Sequence, residues 1–133
     1  MTTSQPNYAR AYLAKAREYL ASAEVNFGAD RFTVAAGDAI HAGICAKDAI
    51  VMRLTGKVSK TKNHGAAVTE LKNALGKRDV TPGAERALRE LIAQKGSVEY
   101  GAEAATPATT KQLVRRARTL VDIAAALLST TGE

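Results

Sequence analysis

The chain has 133 residues and a formal net charge of +6, and 46% of its residues are hydrophobic. This length and apolar fraction are typical of a single domain over residues 1–133, and they exclude a disordered charged tail. Twenty-seven alanines, an aromatic content of 5% and the absence of tryptophan favour close-packed helices over a β-sheet, so we expect an all-α fold.

Two long helices are predicted in the first half of the chain. Residues 7–27 contain no proline or glycine, and apolar side chains recur among them every three to four residues. Gly28 is expected to end this helix, and Asp30 is expected to cap the second one, because a carboxylate accepts hydrogen bonds from the free amides of a first turn. The second helix is predicted over residues 31–54, with Gly56 closing it.

Two shorter helices are predicted after a polar, basic loop at residues 57–62. Asn63 can cap the third helix, and Gly76 is expected to stop it. Thr81 provides a capping hydroxyl before a proline, a pattern typical of a helix start, so a fourth helix is predicted from there. We expect Gly96 to interrupt that helix.

The last predicted helix begins at Thr106, which again precedes a proline. Five helices joined by short loops predict an antiparallel up-and-down bundle of four to five helices. Both the first and the last helix have stripes wide enough for a core and a partner, so either helix could form a homodimer contact. The apolar stripe of the last helix comprises Leu113, Val114, Ala117, Leu120, Val121, Ala124, Leu127 and Leu128.

Several classes of protein are excluded by what the sequence lacks. Its single cysteine, Cys45, cannot form an internal disulfide, which fits a reducing compartment. The first residues do not resemble a secretion signal, and no apolar run is long enough for a membrane span, so we expect a cytoplasmic protein with no membrane partner. Phosphate-loop, dinucleotide, serine-hydrolase and zinc-protease motifs are missing, and no cofactor is expected.

The excess positive charge lies in one segment of the sequence. Between Arg53 and Arg78 there are seven basic residues and one acidic residue, Glu70, whereas the rest of the chain is balanced. Such a segment forms either a solvated surface or a patch that faces phosphates. The seven basic residues are Arg53, Lys57, Lys60, Lys62, Lys72, Lys77 and Arg78.

A polar stripe follows one side of the second predicted helix, with residues three or four positions apart. One interpretation is a metal site, but a single helix places ligands only in pairs, and no second helix offers a matching carboxylate and histidine. We therefore expect no metal, and instead a histidine held between two carboxylates or pointing across a subunit contact. The stripe comprises Asp38, His41, Cys45, Asp48 and Met52.

The sequence contains two histidines, His41 and His64. His64 is in phase with the apolar side chains of the third helix, so it is expected to lean toward the bundle. An alternative is that His41 and His64 approach each other and act as acid and base in RNA cleavage, where one proton leaves the 2′-hydroxyl and another reaches the leaving oxygen.

Two further sets of side chains could contact a ligand. Tyr8, Tyr12 and Tyr19 are spaced along one side of the first helix, a stripe typical of packing or a dimer contact and less often of nucleobase stacking. Lys95 and Tyr100 flank a Gly-Ser break, where an ammonium and a phenol could hold a phosphate or bridge a loop.

Three segments together resemble the HEPN-domain family, specifically its short stand-alone members. They are FTVAAGDAIHAGICAKDAIVMRLTGK at residues 32–57, NHGAAVTELKNAL at residues 63–75, and QKGSVEYGAEAATPATTKQLVRRARTLVDIAAALL at residues 94–128. The resemblance covers nearly the whole chain. It implies a helical bundle that dimerises. It also implies a role associated with RNA or nucleotides, because HEPN proteins are often ribonuclease toxins or are encoded beside small nucleotidyltransferases that restrain them.

The chain departs from the family at its catalytic signature, an arginine followed after a short interval of four to six residues by a histidine. Nine residues separate Arg31 from His41 and ten separate Arg53 from His64, so no ribonuclease residue carries over. The polar pattern of the short subfamily does carry over. It predicts that the imidazoles, the ammonium and the phenol gather at one end of the bundle, beside the basic loop, as donors for a phosphate or ribose. The matching residues are Asp38, His41, Asp48, His64, Lys95 and Tyr100.

Three hypotheses follow for the function of this chain. The first is a non-catalytic HEPN homodimer that binds RNA, a nucleotide or a nucleotidyltransferase partner in a toxin–antitoxin or defence setting. The second is a metal-independent endoribonuclease that uses His41 or His64, with Lys57, Lys60 or Lys62 clamping the phosphate. The third is a structural protein whose polar stripe specifies helix register and dimer geometry.

Overall fold

The computed structural model describes residues 4–58 and 63–129, with side chains at residues 8–58, 63 and 65–129. Every regular element in these ranges is a helix, which confirms the all-α prediction. Five helices have twelve or more residues, and the remaining one has six. Their bounds are α1 Ser4–Gly28, α2 Phe32–Thr55, α3 His64–Leu75, α4 Thr81–Ala93, α5 Lys95–Tyr100 and α6 Pro107–Ser129.

Alanines form much of the contact between α1 and α2. A short turn joins the two helices, which pack against each other along their length in opposite directions. Small side chains allow the helix axes to approach closely, so backbone and methyl groups replace bulky side chains in the contact. The fully buried alanines of these helices are Ala9, Ala16, Ala23, Ala35, Ala36, Ala39, Ala42, Ala46 and Ala49.

The last long helix, α6, runs in the same direction as α2. Near their N-terminal ends, the Thr110 hydroxyl donates to the Phe32 carbonyl oxygen at 3.3 Å. About three turns later, Leu120 lies so close to Gly43 that a Cβ atom there would be 3.4 Å from Leu120 Cδ1. The predicted antiparallel arrangement is therefore wrong for this neighbouring pair. It remains correct for α1 and α2.

Several helix ends lie where the sequence predicted them. Gly56 adopts a left-handed conformation after α2, with φ of 82°, and its amide donates to the Met52 carbonyl oxygen. The Asn63 side chain accepts from the Ala66 amide at 3.2 Å, which confirms it as the N-cap of α3. The Thr106 hydroxyl accepts from the Thr109 amide at 3.1 Å at the start of α6.

Three predicted helix ends are corrected by the structure. Asp30 lies in the turn with φ of 64°, and Arg31 occupies the position before α2. Thr81 is the first residue of α4 rather than its cap, and its buried hydroxyl oxygen has no hydrogen-bond partner among the described residues. Gly96 lies inside the short helix α5, because the break in the chain comes two residues earlier, at Gln94.

The core is shared by all five long helices. Leu13 and Leu20 of α1, together with the apolar faces of the other helices, enclose one continuous cluster of buried residues. None of the described helices has both the length and the hydropathy needed to cross a bilayer. The largest fully buried side chains are Ile40, Ile50, Leu71, Leu75, Leu88, Leu91 and Leu120.

Candidate functional site

The centre of the candidate site is His41, which α2 presents toward the short helix α5. Its Nε2 atom lies 3.2 Å from Glu99 Oε2, and 44% of its side-chain surface is exposed. The other carboxylate oxygen, Glu99 Oε1, accepts from Lys95 Nζ at 2.7 Å. Glu99 therefore joins the imidazole and the ammonium in one cluster, which we call the His41 cluster (His41, Lys95, Glu99).

The aromatic ring of Tyr19, from α1, packs beside this cluster. Its centroid lies 5.3 Å from that of the His41 imidazole, with an angle of 30° between the planes. Tyr12 and Tyr19 are half-buried against the core, whereas Tyr8 is exposed. The tyrosine stripe therefore packs for most of its length, and Tyr19 is the member that reaches the candidate site.

Glu99 is an ionised partner for His41 at neutral pH. The hydrogen bond from Lys95 lowers the pKa of Glu99; the charges of Lys95 and His41 act in the same direction, and partial burial opposes them. A carboxylate facing Nε2 stabilises the tautomer in which Nε2 carries the proton, so Nδ1 of a neutral imidazole is the acceptor. His41 can therefore take a proton at Nδ1 or accept a hydrogen bond there.

The expectation that a histidine is held between two carboxylates of its own helix is wrong in detail. Asp38, one turn before His41, accepts at Oδ2 from the Ser22 hydroxyl at 2.6 Å and from the Asn26 amide at 3.2 Å. The carboxylate that holds His41 is Glu99 on another helix. Asp38 instead lines a cleft between α1 and α2, next to Tyr19.

Asp48 belongs to a separate ion cluster between α2 and α3. Lys47 Nζ lies 2.6 Å from Asp48 Oδ1 and 3.0 Å from Glu70 Oε1, and only 6% of the lysine side chain is exposed. Burial alone would lower the pKa of Lys47, but hydrogen bonds and charge from the two carboxylates outweigh burial and raise it. Burial raises the pKa of Asp48, although the hydrogen bond from Lys47 acts to lower it. We call these three residues the Lys47 triad.

The predicted gathering of His41 with the basic loop is not what the structure shows. Thr55 lies fourteen positions after His41 on α2, which corresponds to about 21 Å along the axis, and Lys57 lies beyond that end. Lys60 and Lys62 lie outside the described residues. His64 begins α3, but its side chain is not among those described, so its predicted approach to His41 stays a prediction.

The two predicted ligand-binding residues of α5 differ in exposure. Lys95 is engaged with Glu99, whereas Tyr100 at the end of α5 is 83% exposed. Both lie in or beside the short helix rather than at a Gly-Ser break between helices. Lys95 can therefore bind a ligand anion only by sharing or leaving Glu99, and Tyr100 is open to solvent.

Neither a reactive thiol nor a ready metal site is found in the described part of the chain. Burial raises the pKa of the Cys45 thiol; the charge of Lys15 lowers it and that of Asp48 raises it. The thiol is therefore less nucleophilic than a free cysteine at neutral pH. No three histidine, cysteine or carboxylate side chains among the described residues converge as metal ligands would.

Sequence reasoning missed two residues that organise these clusters. Glu99 has no local signal, because its contact with His41 depends on how α5 packs against α2. Lys47 does have a local signal, since it precedes Ile50 by three residues and Val51 by four, which places it in phase with buried apolar positions. A lysine in that phase predicts a buried ammonium with an acidic partner.

No protein-family model matches this chain, and neither does any curated protein.

Proposed function

We propose that the chain is a HEPN-type helical module that binds RNA through basic side chains around α3. The observation that carries the proposal is the exposure of these side chains in the structure: Lys57 lies before α3, Lys72 in its last turn, and Lys77 and Arg78 after it. Lysine and arginine side chains that bind phosphates release counterions, which provides affinity without base recognition. We call these four residues the α3 basic surface.

The single acidic residue of this segment does little to cancel its charge. Glu70 accepts a hydrogen bond from Lys47, which comes from α2 and is buried. Its carboxylate is therefore paired with an ammonium outside the segment. Asp79 directly follows Arg78, and Glu85 lies near Lys72, so these two carboxylates weaken the field of the α3 basic surface but leave it net positive.

The dimensions of the surface also support a nucleic acid strand. The twelve residues of α3 span about 18 Å, so the surface extends over about five phosphates of a stacked strand at about 3.4 Å per nucleotide. An acidic nucleotidyltransferase could use the same charges. The homodimer that the family resemblance implies would supply a second copy of this surface.

The test is the salt dependence of RNA binding by the purified protein, followed by fluorescence anisotropy. Four phosphate contacts predict a slope of about −2.8 in a plot of log K against log salt, at about 0.7 for each contact with a single strand. The double variant Lys57→Gln/Lys77→Gln should reduce this slope by about 1.4. No salt-dependent RNA binding by the wild type would refute the proposal.

A matched control uses two exposed basic residues of α6, Lys111 and Arg115. The double variant Lys111→Gln/Arg115→Gln carries the same net charge as the test variant, and α6 does not contact α3 among the described residues. We expect it to bind RNA with the wild-type slope. Equal losses in both double variants would show a general charge effect and no binding surface at α3.

A second candidate function rests on the contact between His41 and Glu99. An imidazole whose Nε2 faces an ionised carboxylate can act as a general base at Nδ1, as metal-independent cleavage at a 2′-hydroxyl requires. Cleavage of RNA in excess chelator should then be lost in His41→Ala and reduced in Glu99→Gln. A His64→Ala variant tests the other histidine. If all three variants match the parent, this mechanism is wrong.

A further inference from the structure

We infer that the cleft between α1 and α2 binds the base and ribose of one nucleotide and selects RNA over DNA at that position. This inference rests on the proposed RNA binding and adds a specificity-determining site to it. The cleft has a volume of about 330 Å³ and is lined by Lys15, Glu18, Tyr19, Ser22 and Asp38. That volume lies at the small end of the range for ligand sites, about 300–1,000 Å³, which suits a single nucleoside.

Asp38 supplies the acceptor that a ribose requires. Both of its described hydrogen bonds, from Ser22 and Asn26, reach Oδ2, so Oδ1 can accept from a ligand. A 2′-hydroxyl is both donor and acceptor, and it is the group that distinguishes RNA from DNA. A carboxylate oxygen accepts a strong hydrogen bond from such a hydroxyl but repels phosphates, so Asp38 contributes to selection of the sugar rather than to general affinity.

The aromatic group needed for a base is also present. Tyr19 lines the cleft, and its ring is already held by packing against the His41 imidazole at 5.3 Å. A base stacked on a preorganised ring loses little freedom, because the tyrosine has been positioned before binding. Glu99 in turn holds the His41 imidazole, so the His41 cluster fixes the position of the Tyr19 ring on which a base would stack.

The charges on the cleft do not attract phosphates. Lys15 and Glu18 are both exposed and lie near each other on α1, so their fields nearly cancel at a distance. The phosphates of a longer strand would instead reach the α3 basic surface. Asp38 lies seventeen residues before Thr55, about 25 Å along α2, which corresponds to about seven stacked nucleotides.

The experiment compares a twelve-nucleotide single-stranded RNA with DNA and 2′-O-methyl RNA of the same sequence, by fluorescence anisotropy. We expect the wild type to bind RNA at least about tenfold more tightly than either analogue, which corresponds to about one hydrogen bond to a charged group. Asp38→Asn should bind all three equally. The affinity of Asp38→Asn for DNA should not fall, since a negative charge has been removed, so the ratio of RNA to DNA affinity is the quantity to measure.

Asp122→Asn provides a matched control. Asp122 is exposed on α6, and the substitution changes the same charge and group. It should keep the preference for RNA. Tyr19→Phe should keep it as well, whereas Tyr19→Ala should weaken binding of all three strands by about tenfold, as expected for one stacked base.

The outcomes separate the two proposals. If the wild type binds RNA, DNA and 2′-O-methyl RNA equally, or if Asp38→Asn keeps the preference, the ribose site is wrong while RNA binding stands. If no strand binds, RNA binding itself is wrong and the ribose site falls with it. Because the 2′-O-methyl strand tests the hydroxyl without any change in the protein, the result does not depend on whether Asp38→Asn folds.

Discussion

Replacement of Lys47 by methionine should strongly destabilise the protein. The substitution keeps most of the side-chain volume but removes the ammonium that lies 2.6 Å from Asp48 and 3.0 Å from Glu70. The side chains of Asp48 and Glu70 are about four-fifths buried, so both carboxylates would be left without a cation at a site with little access to water. Removal of one partner from a buried pair costs about 3–5 kcal/mol. We expect about 3 kcal/mol, because both carboxylates retain some contact with water.

The assay is urea denaturation at pH 7. With a slope of about 2 kcal/mol per molar urea, a loss of 3 kcal/mol lowers the midpoint by about 1.5 M. The pKa of Lys47 is raised in the folded state, so its stabilising contribution is fully present below its ordinary value of 10.5 and is lost as pH rises through the folded-state pKa. A measurement at pH 7 therefore records the whole effect.

The exposed ion pair between Arg89 and Glu85 provides the comparison. The arginine side chain is 61% exposed, and such pairs contribute about 0–1 kcal/mol, so Arg89→Met should change stability little. If Lys47→Met lowered the free energy of unfolding by no more than Arg89→Met does, the argument from burial would be refuted. A Lys47→Met/Glu70→Gln double variant should recover part of the loss, because one stranded carboxylate is then neutral.

Three more predictions concern helix ends, the His41 cluster and the core. Asn63→Ala should lose about 1 kcal/mol in urea denaturation because α3 loses its cap, and Asn63→Asp should not. The pKa of Glu99 is lowered in the folded state, so the carboxylate stabilises the fold above the ordinary pKa of 4.5, and this stabilisation is lost as pH falls through the folded-state pKa. The free energies of unfolding of wild type and Glu99→Gln should therefore differ at pH 7 and converge in acid. Gly43→Ala should lower the melting temperature by about 4 °C, because the new Cβ would lie 2.4 Å from Leu91 Cδ1 and overpacking outweighs the gain in helix propensity. An unchanged or higher melting temperature would contradict this prediction.

The fold was predictable where local chemistry decides the structure. Asn63 and Thr106 could be identified as caps because their side chains bond to amides three residues ahead, within the same short segment. Gly56 could be identified because a left-handed residue after a helix favours glycine. Asp30 and Gly96 were placed wrongly for the opposite reason. Asp30 adopts the left-handed turn itself, and the packing of α5 against α2 holds Gly96 within a helix.

The candidate site was predictable only in its components. Spacing on α2 correctly placed Asp38 and His41 on one side of that helix, where Asp38 bonds to α1 and His41 contacts α5. Their partners could not be predicted, since Ser22 and Glu99 come from helices whose relative positions depend on the whole bundle. The direction of α6 relative to α2 is a property of the same kind. Periodicity identifies a buried face, but it does not say which neighbour covers that face.

The position of α6 has a consequence for synthesis of the protein. Helix α6 packs against α1, α2 and α4, and its Leu120 side chain covers the surface of α2 at Gly43. A ribosome makes the chain from its N-terminus, so α1 to α5 emerge before Leu120 can cover its side of Gly43, and only Leu91 of α4 contacts that position until then. At about 5–20 residues per second, the 23 residues of α6 take about one to five seconds to follow. During this interval the alanine-rich hairpin of α1 and α2 is open to chaperones and to other nascent chains.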